Sequence, residues 1–235
     1  MRKKLIGILF CMLMILSTII PVSGTVLTEK TSHPLTKGNI LYVGGNGPNN
    51  YTRIQDAIDN ASDGDTVFVF DDSSPYYENI IIEKSLTLIG EDKTTTVILG
   101  DESSDGIIVN ISADDVSISG FTIQPHMGQP EGILIVRNFT PYYWNIGIVQ
   151  NVTICDNIIK NTSAGIFGIR LNHGKLTGNK IENCKGSGIL LYIPSNNTIS
   201  NNCITNSSYR GIQIDGLFTP YRILNYLNPV PKNNI

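Results

Sequence analysis

Acid–base or nucleophilic work on a polysaccharide needs at least two carboxylates, or a carboxylate and an arginine, within reach of one sugar ring. Arg170, Tyr192 and Asp215 come nearest to that arrangement, because they recur at intervals of 22 and 23 residues. If each interval is one turn of a solenoid, Arg170 and Asp215 lie two turns apart, roughly 9.6 Å at a strand spacing of about 4.8 Å. That is far for direct cooperation, so they are weak catalytic candidates. The other acids do not pair: Asp156 falls in line with Gly178 and Asn201, and Glu182 with Lys160 and Thr205. Metal chemistry has less material still. Soft metals ask for clustered Met, Cys or His, whereas His126-Met127 and His173 belong to different turns, so no metal ligand and no cofactor is assigned. Cys155, Cys184 and Cys203 fall at different places in the repeat and read as isolated buried thiols.

Binding has a better candidate. The segment Arg137–Gln150 holds Phe139, Tyr142, Tyr143 and the only tryptophan, Trp144. It interrupts a regular repeat, and insertions in solenoids project from one face. Rings there either stack on sugars or pack the loop against its own turn. Arg137, Tyr143, Trp144 and Asn145 are therefore the expected ligand-binding residues, for a glycan or a peptide.

The elements that must hold these residues follow from self-similarity. Ile154, Leu176 and Ile199 are each followed three residues later by Asn157, Asn179 and Asn202, and two further on by Ile159, Ile181 and Ile204. Gly165-Ile166, Gly188-Ile189 and Gly211-Ile212 close the three copies, and a looser copy runs through Ile118 to Gly132-Ile133 with Phe121 in the Asn position. A period of 22 to 23 residues with internal apolar alternation is too short for paired helices. It suits a coil of three short strands: an all-β, right-handed, single-stranded parallel β-helix of about seven rungs, built at the strand spacing of a parallel sheet. Stacked in register, Asn157, Asn179 and Asn202 form a structural ladder in which each amide serves the next. Asn161, Asn183 and Asn206 form a second file.

Ahead of the repeats, Ile54, Ala57, Ile58 and Ala61 share one helical face, and Thr52 with Gln55 reads as a capping box. This short helix covers the first rung, and Thr66–Phe70 reads as the strand after it. The organisation read from the chain is a leader at 1–24, a linker and first strand at 25–50, β-helix repeats at 51–216, and an irregular tail or truncated rung at 217–235. In the leader, Arg2, Lys3 and Lys4 precede an apolar run from Leu5 to Ile20, the layout of a signal peptide. Export is expected, to the surface or periplasm, with no membrane contact beyond that signal. Without the leader 14 basic groups face 20 acidic ones, which speaks against nucleic acid as a partner. Eight Asn-x-Ser/Thr sequons, at Asn50, Asn60, Asn110, Asn138, Asn151, Asn161, Asn196 and Asn206, avoid the ladder asparagines.

The opening from Tyr51 to Gly90, with Ile54–Phe70 followed by Tyr76–Gly90, resembles that of pectin-lyase-like β-helix proteins. Together with the Asn-x-Ile rungs it is most similar to the periplasmic NosD family and related microbial surface proteins, over about residues 40 to 216. The resemblance implies a copper association that the residues do not supply, and it leaves activity open, because the fold serves enzymes and noncatalytic repeats alike. The expected function is a noncatalytic exported scaffold binding a glycan or protein, with a polysaccharide lyase, esterase or hydrolase as the alternative. Partners are a surface glycan, another β-helix segment or a capping protein.

Overall fold

The computed structural model describes residues 38–100, 106–138 and 146–216. Three long parallel sheets run along the molecule, with a short two-stranded one, Val149–Gln150 beside Leu171–Asn172. The seven-stranded sheet, here sheet A, stacks Ile40–Val43, Thr66–Val69, Thr87–Gly90, Ser117–Ser119, Thr153–Cys155, Lys175–Thr177 and Thr198–Ser200. Sheets B and C have six strands each, ending at Cys203–Thr205 and Ile212–Asp215. Each strand pairs only with its equivalents one rung before and after, as in the register Ile118↔Ile154↔Leu176↔Ile199. The chain is the right-handed parallel β-helix of about seven turns that the repeat demands.

Alternation decides what the stacking buries. Along sheet A, Val67, Leu88, Ile118, Ile154 and Leu176 point inward and are completely buried, and the same holds for Ile133, Ile166 and Ile189 in sheet C. The Gly of each Gly-Ile pair that has a described rung above it sits where rungs meet too closely for a side chain: a Cβ on Gly132 would lie 2.4 Å from the Gly165 carbonyl oxygen, one on Gly165 2.6 Å from that of Gly188, and one on Gly188 2.8 Å from that of Gly211, whereas Gly211 on the last described rung meets nothing within 4 Å. The conspicuous repeat of that dipeptide is thus a steric demand.

The Asn file is a hydrogen-bonded column. Asn179 Oδ1 accepts from the backbone N–H and from the side-chain amide of Asn157, both at 3.2 Å. Asn202 Oδ1 accepts the same pair from Asn179, at 3.0 and 3.1 Å. The second amide hydrogens go to main-chain carbonyls, Asn157 to Ile118 and Asn179 to Ile154. Phe121, in the Asn position one rung earlier, ends the column by donating its backbone N–H to Asn157 Oδ1 at 3.1 Å. Its buried ring replaces the amide.

The covering helix, α1 (Ile54–Asn60), buries Ile54, Ala57 and Ile58. Its capping differs from the sequence expectation. Arg53 is the N-cap residue, with no side-chain cap bond, and Thr52 takes no part. The orphan N–H groups of Ile54 and Gln55 donate instead to the two carboxylate oxygens of buried Glu78, at 2.8 and 3.0 Å. Gln55 is released to pair with the edge of the first rung, its Oε1 accepting from the Ile81 N–H and its Nε2 donating to the Ile81 carbonyl. A cap from a residue 24 positions away ties the helix to the solenoid, which a local Thr could not do.

Among the described residues no helix is long and apolar enough to cross a membrane. The leader at 1–24 and the tail at 217–235 lie outside the described residues.

Candidate functional site

The suggested catalytic triplet does not converge. In sheet C the residue paired with Tyr192 is Ile169, and Tyr192 pairs with Asp215, so Arg170 stands one step past the file. It occupies a left-handed corner with φ 53°, is exposed, and its guanidinium donates to the Ile146 carbonyl. Tyr192 is buried in an apolar layer on the outer face of sheet C, with Leu134, Ile169, Phe167 and Leu190, its ring edge-on to Phe167 at 5.8 Å. Asp215 accepts from Gln213 at 2.9 Å. The three are directed into different environments.

Arg137 closes the base of the inserted loop. It forms an antiparallel bridge with Gly147, while its guanidinium donates to the Ser112 carbonyl and pairs with Asp114 at 2.8 Å. Both ends of this side chain are therefore committed to the scaffold. Tyr143, Trp144 and Asn145 lie outside the described residues.

The soft-metal candidates also stay apart. The His126 ring packs edge-on against Tyr77 at 5.6 Å, and His173 stands at a corner with φ 55°. No cluster of three His, Cys, Asp or Glu side chains able to hold a metal exists among the described residues. Copper therefore has no fitting set of ligands there. The cysteines divide: Cys184 is a buried free thiol against the Thr162 hydroxyl, its pKa raised by burial, whereas Cys203 is free and exposed. Cys155 is buried. The expectation of buried thiols holds at Cys184 and fails at exposed Cys203. Cys155 faces outward beside inward Ile154, and Cys203 belongs to the last described strand of sheet B, with no rung over it.

Three buried acids, Asp65, Glu78 and Glu131, are invisible to motif reading. Glu78 is the helix cap. Glu131 is 2% exposed, and burial pushes its pKa up to about 7 even though the Ser163 hydroxyl and Ala164 N–H donate to it.

An open cavity of about 470 Å³ lies near the N-terminal end of sheet A, between the loop Gly44–Asn50 and Phe70–Asp72. Sheet alternation places Val43 and Val69 in the core and turns Tyr42 and Phe68 outward. Tyr42 stacks on Phe70, with ring centroids 5.9 Å apart and planes at 23°, and Phe68 packs edge-on to Phe70 at 5.1 Å. The loop returns to the strand through Tyr51 N–H to the Tyr42 carbonyl and Gly44 N–H to the Tyr51 carbonyl, both 2.8 Å. Gly45 lies on the Phe70 ring at φ 70°, where a Cβ would approach the ring to 2.8 Å. Asp72 Oδ1 pins the loop by accepting from the Gly45 N–H. Below, Tyr76 donates to the Phe70 carbonyl at 2.7 Å, and burial, then the Asp72 charge, push its pKa up to about 12. The result is an aromatic wall, with Tyr42 41% exposed, beside an exposed carboxylate and Asn46. The sequence signal was present, an aromatic strand running into Gly44-Gly45-Asn46-Gly47, but the partners Phe70 and Asp72 are one rung on.

Residues 58–219 match the model of the NosD family, described as periplasmic copper-binding protein. The chain belongs to the NosD family. A curated relative, a cell surface glycoprotein of Methanothermus fervidus, is 30% identical over 215 residues, covering 71% of this chain and 35% of that protein. This NosD-family chain thus spans about a third of the relative's length. Among solved structures, a pectin methylesterase in complex with a hexasaccharide is 18% identical with a TM-score of 0.45, covering 74% of this chain and 70% of that one. The Aspergillus niger pectin methylesterase in deglycosylated form is 16% identical with a TM-score of 0.36, covering 75% and 84%. Neither brings an activity to the NosD-family solenoid.

Proposed function

We propose that this NosD-family chain is an exported, noncatalytic scaffold of the cell surface or periplasm that binds a glycan in the cavity floored by Tyr42 and Phe70. The observation that carries the reading is the exposed Tyr42 face beside the Asp72 carboxylate. A sugar offers an apolar C–H face and a ring of hydroxyls, which a half-exposed aromatic ring and a fixed acceptor complement. Asp72 Oδ1 is already used on the Gly45 N–H and the Ser73 hydroxyl; Oδ2 is the oxygen available to sugar hydroxyls. The acidic balance of the chain favours a neutral or basic saccharide over a polyanion.

A noncatalytic role is supported by the separate commitments of Arg170 to the Ile146 carbonyl, of Tyr192 to packing on Phe167 and of Asp215 to the Gln213 side-chain amide. Export is supported by the layout of the leader and by the surface and periplasmic names of the relatives. The test is capture on immobilised neutral and amino polysaccharides, comparing the parent with Tyr42→Ala and Asp72→Asn. Capture by the parent that both substitutions reduce about tenfold or more, with unchanged melting, supports the site. Equal capture by parent and variants places binding elsewhere and sinks this assignment.

A further inference from the structure

The eight sequons differ in what their asparagines do in the folded chain, and that difference sorts them. Asn110 lies within Ile107–Ile111, paired with Ile81 and Leu134, and its Oδ1 is buried. Asn50 turns its amide inward to the Gly44 carbonyl. Asn151, Asn161, Asn196 and Asn206 are all exposed and all sit at solenoid corners in the left-handed region, with φ 57°, 60°, 54° and 54°; Asn138 is also exposed and left-handed at φ 53°, but it follows Arg137 at the base of the inserted loop and shares no stacked edge with them. A corner points its side chain away from both flanking strands.

These four fall on two edges of the solenoid. The register Gln150↔Asn172, with the bridge Asn172↔Ser195, stacks Asn151, His173 and Asn196 on successive rungs. The register Lys160↔Glu182↔Thr205 likewise stacks Asn161, Asn183 and Asn206. On each edge the outer two members are sequons and the middle one is not, since Asn183 is followed by Cys184-Lys185. Sequons therefore recur on alternate rungs, roughly 9.6 Å apart, where one rung of about 4.8 Å would crowd neighbouring saccharides.

We propose that Asn151, Asn161, Asn196 and Asn206 are N-glycosylation sites that carry saccharides in two columns along the solenoid edges. The proposal rests on the export read above. In the reaction, Nδ2 attacks the anomeric carbon of a glycosyl donor held on a lipid phosphate. The C–N bond forms, the anomeric C–O bond breaks, the lipid phosphate leaves, and Nδ2 gives up one proton and keeps the other. The amide hydrogen that remains is enough for the corner bonds. Asn206 donates once, to Asn183 Oδ1 at 3.2 Å, and Asn151 once, to Asp115 at 2.9 Å. Asn161 Oδ1 serves as acceptor for Asn183, which glycosylation leaves intact. The core ladder behaves oppositely: Asn179 spends its amide on both Ile154 and Asn202, and none of Asn157, Asn179 and Asn202 has a hydroxyl two residues on. Sequons stand where the amide has a hydrogen to lose.

The test is peptide mass spectrometry on the chain purified from its source cells, after fractionation has established whether it is exported. Saccharide masses on the four corner asparagines, with Asn110 bare, are the expected result. An Asn→Gly substitution at all four, which keeps the left-handed corners without strain, should remove those masses while leaving the unglycosylated chain folded, as read by a cooperative thermal transition. An exported chain bare at all four, or one glycosylated at Asn110 and not at the corners, overturns the proposal. A chain retained in the cytoplasm overturns the export reading on which it stands.

Discussion

Replacing Asn179 by Leu isolates what the inner ladder contributes. The substitution removes one acceptor that serves two donors of Asn157, and one amide that serves the Ile154 carbonyl and Asn202 Oδ1. Two side-chain partners have replacements: the Asn157 side chain still reaches the Ile118 and Cys155 carbonyls, and Asn202 Oδ1 keeps the Asn179 backbone N–H. The Ile154 carbonyl lies inside the sheet A ladder and keeps its strand partner on the next rung. The Asn157 backbone N–H has no replacement and is left unpaired inside a completely buried residue. One stranded group costs about 1–3 kcal/mol, and the lower half is expected because Leu adds buried apolar area. Urea unfolding at constant m measures it directly. Asn183→Gly is the control, because Asn183 holds an equivalent place in the exposed ladder, where water replaces what is lost, and Gly keeps its left-handed φ of 56° without strain; its cost should stay within about 0.5 kcal/mol. Equal midpoints for Asn179→Leu and Asn183→Gly would refute the argument that burial gives the ladder its worth.

Two further outcomes concern the buried acids. Glu78→Ala should destabilise by about 1–3 kcal/mol, since it strands the first N–H groups of α1, whereas Thr52→Ala should be near neutral; thermal unfolding showing the reverse order would restore the local capping box. Glu131 has a folded pKa of about 7 against an ordinary 4.5, so the folded chain holds its proton more tightly. Its burial therefore costs nothing below about pH 4.5 and progressively more as pH rises to 7, on the order of 3 kcal/mol by pH 8. Glu131→Gln should remove that part of the pH dependence, narrowing the gap between melting temperatures at pH 5 and pH 8; an unchanged gap would mean that Glu131 ionises as freely as an exposed acid.

The solenoid itself is legible in the sequence for a physical reason. In-register parallel stacking converts a period along the chain into contact in space, so Ile154, Leu176 and Ile199 meet because they are equivalent, and so do Asn157, Asn179 and Asn202. The same rule placed Tyr192 against Asp215. It missed by one residue at Arg170, because a left-handed corner there ends the strand before the arginine.

What repetition cannot express was decided by the tertiary structure alone. The cap on α1 comes from Glu78 because the helix lies across the solenoid end, where a residue of the next turn is nearer than its own neighbours. Glu131 became a buried acid because Ser163 and Ala164 close over it from the following rung. The aromatic cavity required Tyr42, Gly45, Phe70 and Asp72 to meet across two rungs that share no repeated motif. Sequence periodicity determined which residues stack; which of them remain open to water and a ligand depended on how irregular segments fold back over the stack, and that is settled only in three dimensions.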